Sequence, residues 1–295
     1  ALPEHRGSEQ GKQELTMTVL GIDVGGSTTK IVGMEDGRLC SMQCISADDP
    51  VTSLFGALGK YIYENGLVLS DISRIMITGV GSAWLDGQLY GIPTERVDEF
   101  GANALGAGYG SSLERMVVVS MGTGTSFIRV ENGRYDHLGG LAIGGGTLQG
   151  LSGILFRTSD IRKVIAMAEE GSVADIDLQI RDISRTELPG LPLDVTASNF
   201  GKADPSARNE DVAAGIINMI LQTIGSSANF IARNTGIGDF VCIGTMTQLP
   251  QCRPLFDRIE KLYGIRFHIP DHTEFRTAIG AALRGFGAGI PGLGQ

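Results

Sequence analysis

The sequence predicts an α/β protein of two lobes around a cleft, on three observations. Three short strands joined by tight turns, then a helix and another strand, open the organised part of the chain. The same grammar returns roughly 100 residues later, a duplication of pattern without sequence identity. In each copy a glycine- and hydroxyl-rich turn follows the first strand.

The first copy begins with the apolar, β-branched run Met17 to Val24, continues through Thr28 to Met34, and turns at Asp36-Gly37 into Arg38 to Cys44. Val51, Leu54, Phe55, Leu58 and Ile62 recur at helical spacing, and Pro50 suits the first helical position. Ile72 to Gly79 reads as a buried strand. The second copy runs Arg115 to Ser120, Thr125 to Val130 and Gly133 to Ala142, with the turn at Glu131-Asn132-Gly133, and a helix starting near Gly146. Beyond it lie a helix candidate at Ser159 to Glu170, a Pro/Gly-bearing loop region from Ile183 to Pro205 and a long amphipathic helix from Glu210 to Asn234. A strand at Asp239 to Ile243, a helix at Pro250 to Tyr263, a strand at Arg266 to Ile269 and a small-residue helix at Phe275 to Phe286 complete the chain.

Composition bounds the function. With 295 residues, 42% of them apolar and 19% charged, the chain can bury a core in each of two lobes. Its net charge of -9 argues against general attraction to nucleic acid or an anionic membrane, so an anionic ligand must be held by local donors. Cys40, Cys44, Cys242 and Cys252 are scattered without C-x-x-C or metal-ligand spacing and read as reduced packing residues. No run approaches roughly 18 apolar residues, which makes the cytoplasm the expected location. Residues 1–15 are polar and aperiodic and read as a flexible leader; the lobes are expected at 16–113 and 114–295, the second with a helical insertion.

Five segments carry chemistry. In Gly21 to Lys30, a buried strand delivers Asp23 to its end, and Gly25, Gly26, Ser27 and Thr28 turn the chain so that backbone amides and hydroxyls can meet phosphate oxygens, with Lys30 beside them. Asp23 suits Mg2+, which keeps several waters and shares ligands with phosphates. Gly122, Thr123, Gly124 and Thr125 occupy the equivalent turn of the second copy, so that two hairpins from opposite lobes can clamp a triphosphate; neither is a Walker loop. Gly144, Gly145, Gly146 and Thr147 open a helix, where unpaired amides and the dipole favour an anion. Gly244-Thr245 ends a strand and is suited to approach an adenosine. A phosphoryl acceptor needs a carboxylate to take its hydroxyl proton, and Asp98 and Glu99 are the candidates. Asp98 also reads as a helix N-cap; Glu99 has small and apolar neighbours that would raise its pKa.

Together with Glu99-Phe100-Gly101-Ala102, Gly139 to Gly150 and Thr196-Ala197-Ser198-Asn199-Phe200-Gly201, these segments resemble the type II and eukaryotic pantothenate kinases. The resemblance spans about Thr16 to Phe286, and its most specific parts are the Thr-Ala-Ser-Asn-Phe-Gly block and the glycine-rich helix start. It implies a duplicated actin-like ATPase fold of two ribonuclease H-like α/β lobes around a nucleotide cleft. It also implies a homodimer that uses ATP and Mg2+ to phosphorylate pantothenate, the first step of coenzyme A synthesis. Carried over by position, Asp23 serves Mg2+, Gly25 to Lys30 meet the phosphates and Glu99 is the base. Thr123 contacts pantothenate and the transferring phosphate, Gly144 to Thr147 line the nucleotide site and Gly244 meets the adenosine end. The family's substrate-binding arginine is replaced here by His137, a pH-dependent anion partner, and Arg134 on the same hairpin is an alternative.

Three other readings belong to the same superfamily. An activator ATPase of a 2-hydroxyacyl-CoA dehydratase has a similar opening loop, but it requires cluster-binding cysteines near Gly139 to Gly150, where this sequence has none. A non-catalytic relative and a sugar kinase are the remaining two.

Overall fold

The computed structural model describes residues 17–289 except 27, 47, 48 and 187–189. The expected leader at 1–15 and the expected phosphate contact Ser27 lie outside the described residues.

Strands β1 (Thr18–Val24), β2 (Thr28–Glu35) and β3 (Arg38–Ser46) form an antiparallel meander, followed by helix α1 (Pro50–Glu64) and the parallel strands β4 (Ile72–Thr78) and β5 (Thr94–Arg96). The sheet order is β3-β2-β1-β4-β5. Helix α2 (Glu99–Gly108) leads to a second meander of β6 (Arg115–Met121), β7 (Thr125–Glu131) and β8 (Arg134–Leu141), and then to α3 (Gly145–Phe156). Helices α4 (Ile161–Glu170), α5 (Val173–Ile176) and α6 (Ile180–Ile183) with the two-stranded β9 (Leu178–Gln179) and β10 (Thr196–Ser198) form the insertion before the long α7 (Asn209–Thr235). Strand β11 (Asp239–Ile243), helix α8 (Cys252–Tyr263), strand β12 (Arg266–His268) and helix α9 (Arg276–Gly285) follow. The second sheet is ordered β12-β11-β6-β7-β8, which is the first sheet's pattern over again: an antiparallel meander extended by two parallel strands.

The turns that set this pattern are local. Asp36 and Gly37 have φ of 49° and 73°, and Asn132 and Gly133 have 52° and 67°. Two successive left-handed residues make the hairpin turn whose twist matches that of the strands, and Asp-Gly and Asn-Gly adopt it at low cost. Helix α1 is started by Asp49, whose side chain accepts from the Thr52 amide at 2.6 Å, with Pro50 in the first turn.

Four apolar clusters fill the layers. Leu20, Ile22, Ile31 and Ile77 of the first sheet pack on Leu54 and Leu58 of α1. The other face, with Val19, Val32 and Met76, packs on Ala102 of α2 and Ala278 and Ala282 of α9. Helix α2 also gives Ala104 and Leu105 to a cluster with Val118, Ile128 and Val241 of the second sheet, so it lies between the two sheets. The far face of the second sheet packs on α7 and α8 through Val117, Val119, Ile217, Ile220 and Phe256. Helix α9, which the 114–295 span placed with the second lobe, lies against the first sheet, because its alanine stripe fits the apolar face that α1 leaves open.

The contact between α2 and α9 is backbone against backbone. A Cβ at Gly106 would stand 1.8 Å from the Arg276 carbonyl oxygen, and one at Gly280 would stand 1.8 Å from the Ala102 carbonyl oxygen. The buried Arg276 guanidinium closes this junction by donating to the carbonyls of Gly106, Tyr109 and Asp271 at 3.0, 2.5 and 2.9 Å. The packing role expected of all four cysteines holds for Cys242 and Cys252 only. Cys40 and Cys44 are exposed on β3, an edge strand of the first sheet.

Candidate active site

Asp23 is the next-to-last residue of β1 and stands opposite Lys30 of β2 and Thr78 of β4 in the sheet register, so the three side chains share the face toward α2 and α9. Lys30 Nζ lies 3.7 Å from Asp23 Oδ2, with both residues buried. Burial raises the Asp23 carboxyl above the usual range, while the Lys30 charge pulls it back. Gly79, at φ 87°, makes room for this carboxylate: a Cβ there would stand 2.6 Å from Asp23 Oδ1. The hairpin beyond is closed by the Gly25 amide donating to the Thr28 carbonyl at 3.0 Å.

Glu99 is the first residue of α2 and is half-buried. Its pKa is raised by burial first, then by the negative charges of Asp23 and Asp98, and is lowered by Lys30. Asp98 is the helix N-cap, as the sequence suggested: its Oδ2 accepts from the Gly101 amide at 2.8 Å. The same oxygen accepts from the Tyr135 hydroxyl at 2.9 Å. Next along, the Phe100 and His137 rings stack at 4.1 Å with 10° between planes. Strand β8 of the second sheet is thus fastened to the start of α2 on both sides of Glu99, and His137 comes to the carboxylate's edge of the cleft.

Arg134 does not. Tyr135 and His137 pair with Val130 and Ile128 in register, while Arg134 pairs with Glu131 and Asp136 with Arg129. Strand alternation therefore puts Arg134 on the sheet face opposite to His137, the face that carries the Arg129–Asp136 ion pair, and removes it as a stand-in for the missing arginine.

The second loop is a clamped turn. The Gly122 amide donates to the Gly124 carbonyl at 2.9 Å, and Thr125 Oγ1 donates to the Ile143 carbonyl at 2.9 Å. The amides of Gly145 and Gly146 donate to the carbonyls of Gly122 and Thr123 at 2.8 and 2.9 Å, and the Gly144 amide donates to Thr147 Oγ1 at 3.2 Å. Three of the helix-start amides expected to receive an anion thus donate within the protein, and those of Gly145 and Gly146 brace the 122–125 turn. A Cβ at Gly144 would stand 2.8 Å from both the Gly122 and the Thr123 carbonyl oxygens, so glycine is what lets the two loops touch. Thr123 is left exposed at the tip; among the described residues neither its hydroxyl nor its amide makes a hydrogen bond. Gly244 joins the group from β11: at φ 98°, a Cβ would stand 2.4 Å from the Met121 carbonyl oxygen, and its amide donates to Thr273 at 2.9 Å.

Among the described residues no three His, Cys, Asp or Glu side chains cluster as a metal cage. A single buried carboxylate with one free oxygen fits Mg2+ that takes its other ligands from water and nucleotide phosphates, and Asp23 has that form.

One part of the site is not legible as a motif. Tyr135 and Phe100 act through partners distant in sequence, though Tyr135 lies two residues from His137 on a strand and so shares its face. The Thr196 to Gly201 block is organised by Asp177, fully buried, whose carboxylate accepts from Asn218 Nδ2 at 2.8 Å, the Phe200 amide at 2.8 Å, Asn199 Nδ2 at 3.1 Å and Thr196 Oγ1 at 3.2 Å.

The family description "Fumble" matches residues 111–252, and the BadF/BadG/BcrA/BcrD ATPase family matches residues 20–156. A type II pantothenate kinase of Bacillus cereus is 29% identical over 238 residues, covering 77% of this chain and 83% of that protein. One from Staphylococcus aureus is 27% identical over 276 residues, covering 90% and 99%. Among solved structures, the activator of the 2-hydroxyisocaproyl-CoA dehydratase from Clostridium difficile with bound ADPNP superposes with a TM-score of 0.67 at 18% identity, covering 92% of this chain and 95% of that one. The ROK hexokinase from Thermus thermophilus gives 0.53 at 15%, covering 90% and 98%. The chain is thus a relative of the type II pantothenate kinases, built on the two-lobe fold of the actin-like ATPases.

Proposed function

We propose that this protein transfers the terminal phosphoryl group of ATP to the primary hydroxyl of pantothenate, giving 4'-phosphopantothenate. The observation that carries the proposal is the placement of Glu99: a half-buried carboxylate with a raised pKa, within the electrostatic reach of Asp23 and Lys30 and beside His137. A base needs its proton affinity near the working pH, and Glu99 is pushed toward that condition by burial and two neighbouring negative charges. In this reading Glu99 orients the acceptor hydroxyl and takes its proton as the oxygen attacks the terminal phosphorus and the bond to ADP breaks. Gly25 to Thr28 with Lys30 on one side, and Gly122 to Thr125 on the other, hold the phosphates. Gly144 to Thr147 act behind the second loop, and Gly244 lies toward the adenosine. Asp23 would hold Mg2+, which when bound neutralises charge on the phosphates. His137, with Thr123, faces the acceptor. Closing the cleft excludes water from the transfer.

The names of the Bacillus and Staphylococcus relatives support the choice of acceptor. The test is release of ADP with pantothenate, pantetheine, an N-acetylhexosamine or no acceptor. Pantothenate-dependent release with a phosphorylated product supports the proposal; hydrolysis independent of every acceptor, or a hexosamine preference, overturns it. A lobe division at residue 113 with α9 returned to the first lobe, a homodimer and a cytoplasmic setting belong to the same proposal. Among the described residues no helix is long and apolar enough to cross a membrane.

A further inference from the structure

The second lobe has a cavity of about 480 Å3 between the insertion and helices α7 and α8, within the roughly 300–1,000 Å3 of small-molecule pockets. None of its lining residues belongs to the phosphate loops or the Glu99 region. Leu255, Ile259 and Leu262 of α8 form one wall, and Val173, Leu191 and Val195 of the insertion face them.

Its polar groups are of two kinds. The first is a set of amides. Gln222 accepts at Oε1 from Asn218 and Asn199, each at 3.3 Å, and among the described residues its Nε2 donates to nothing. Gln179 is only 6% exposed, and its Oε1 is buried with no partner among the described residues. A buried amide acceptor left unpaired is costly, and a rotation of the side chain into the cavity would let a ligand donor satisfy it. The second is charge. Arg258 and Lys261 stand three residues apart on α8, both exposed, and neither is within ion-pair distance of a carboxylate among the described residues. Among the described residues Asp194 is the one carboxylate in the lining. Two cations against one anion make this lining positive in a chain whose net charge is -9.

We infer that this cavity is a second ligand site, separate from the nucleotide cleft, for a small organic anion that combines a carboxylate, an amide and a short apolar chain, as in an N-acyl amino acid. The carboxylate would pair with Arg258 and Lys261, Arg258 offering a two-pronged donor. The amide carbonyl would accept from Gln222 Nε2, the amide N–H would donate to Gln179 Oε1, and the acyl chain would lie along the apolar walls. No covalent step is involved, and the assignment does not depend on which acceptor the cleft phosphorylates.

The test is calorimetric titration of the full chain with hexanoylglycine in saturating MgADP, so that the nucleotide part of the cleft is filled, with the Arg258→Gln/Lys261→Gln variant telling this cavity from the acceptor part of the cleft. Binding is expected, weakened at least tenfold in Arg258→Gln/Lys261→Gln and at least tenfold for hexanoylglycinamide, which lacks the charge. Gln222→Leu, which keeps the volume and removes the amide, is expected to weaken binding severalfold at a temperature where the variant is fully folded. No binding to the parent protein, equal affinity in the double variant, or binding that appears only when ADP is omitted would each overturn the inference.

Discussion

Replacing Gly280 by alanine tests whether the α2–α9 junction sets both the stability of this protein and the position of its proposed base. The new Cβ would stand 1.8 Å from the Ala102 carbonyl oxygen and 2.6 Å from the Gly106 nitrogen. Carbon and carbonyl oxygen in close contact are ordinarily about 3.3 Å apart, so the helices must separate by about 1.5 Å. Both obstacles are backbone and neither can turn aside, which puts the cost near the upper end of core overpacking, about 3 kcal/mol. At about 2–4 °C per kcal/mol for a chain of this size, melting should fall by about 6–12 °C. Since α2 carries Glu99 at its first turn, a displacement of this size should also lower turnover, on the order of 100-fold for a 1 Å misplacement. Gly56→Ala is the control: its Cβ meets nothing within 4 Å on the exposed face of α1. It should stabilise by about 0.5–1 kcal/mol, raising melting by about 1–4 °C. The assays are thermal denaturation and ADP release on the three proteins. A Gly280→Ala protein that melts and turns over like the parent would show that the two helices are not packed this closely.

Glu99→Gln should lower kcat by about 10²–10⁴-fold while leaving nucleotide affinity unchanged; normal turnover would remove Glu99 as the base. Because burial and the Asp23 and Asp98 charges raise the Glu99 pKa, kcat/KM should fall on acidification through a pKa above that of ordinary glutamate. Asp98→Asn keeps the cap and deletes one of those charges, so this limb should move to lower pH; a limb that stays, or moves up, refutes the coupling. His137→Arg should lower the KM for pantothenate, and an unchanged KM would put the anion contact elsewhere. Asp177→Ala leaves two asparagine amides, a threonine hydroxyl and the Phe200 amide without their acceptor, and should cost about 3 kcal/mol in a denaturant titration. Unchanged stability would mean that this block is held by packing alone.

The duplicated strand pattern was legible because its signals are local. Alternation, Asp-Gly and Asn-Gly turns, and Pro50 after a capping aspartate each act within a few residues, and the elements appear within a residue or two of their expected ends. Ile183 to Pro205 was read as loop because its one strand, β10, is three residues long, and α5, β9 and α6 just before it, at two to four residues, are likewise too short for a period to show. The sequence alone determined the two strand meanders and the longer helices, the two glycine-hydroxyl turns and the candidate carboxylate. Only the tertiary structure decided that α9 returns to the first sheet, that the Gly145 and Gly146 amides brace the second loop, and that Arg134 points away while His137 stacks on Phe100. The reason is physical: which face a residue joins, and which donor an amide finds, depend on contacts between segments far apart in the chain, and no local period encodes those partners.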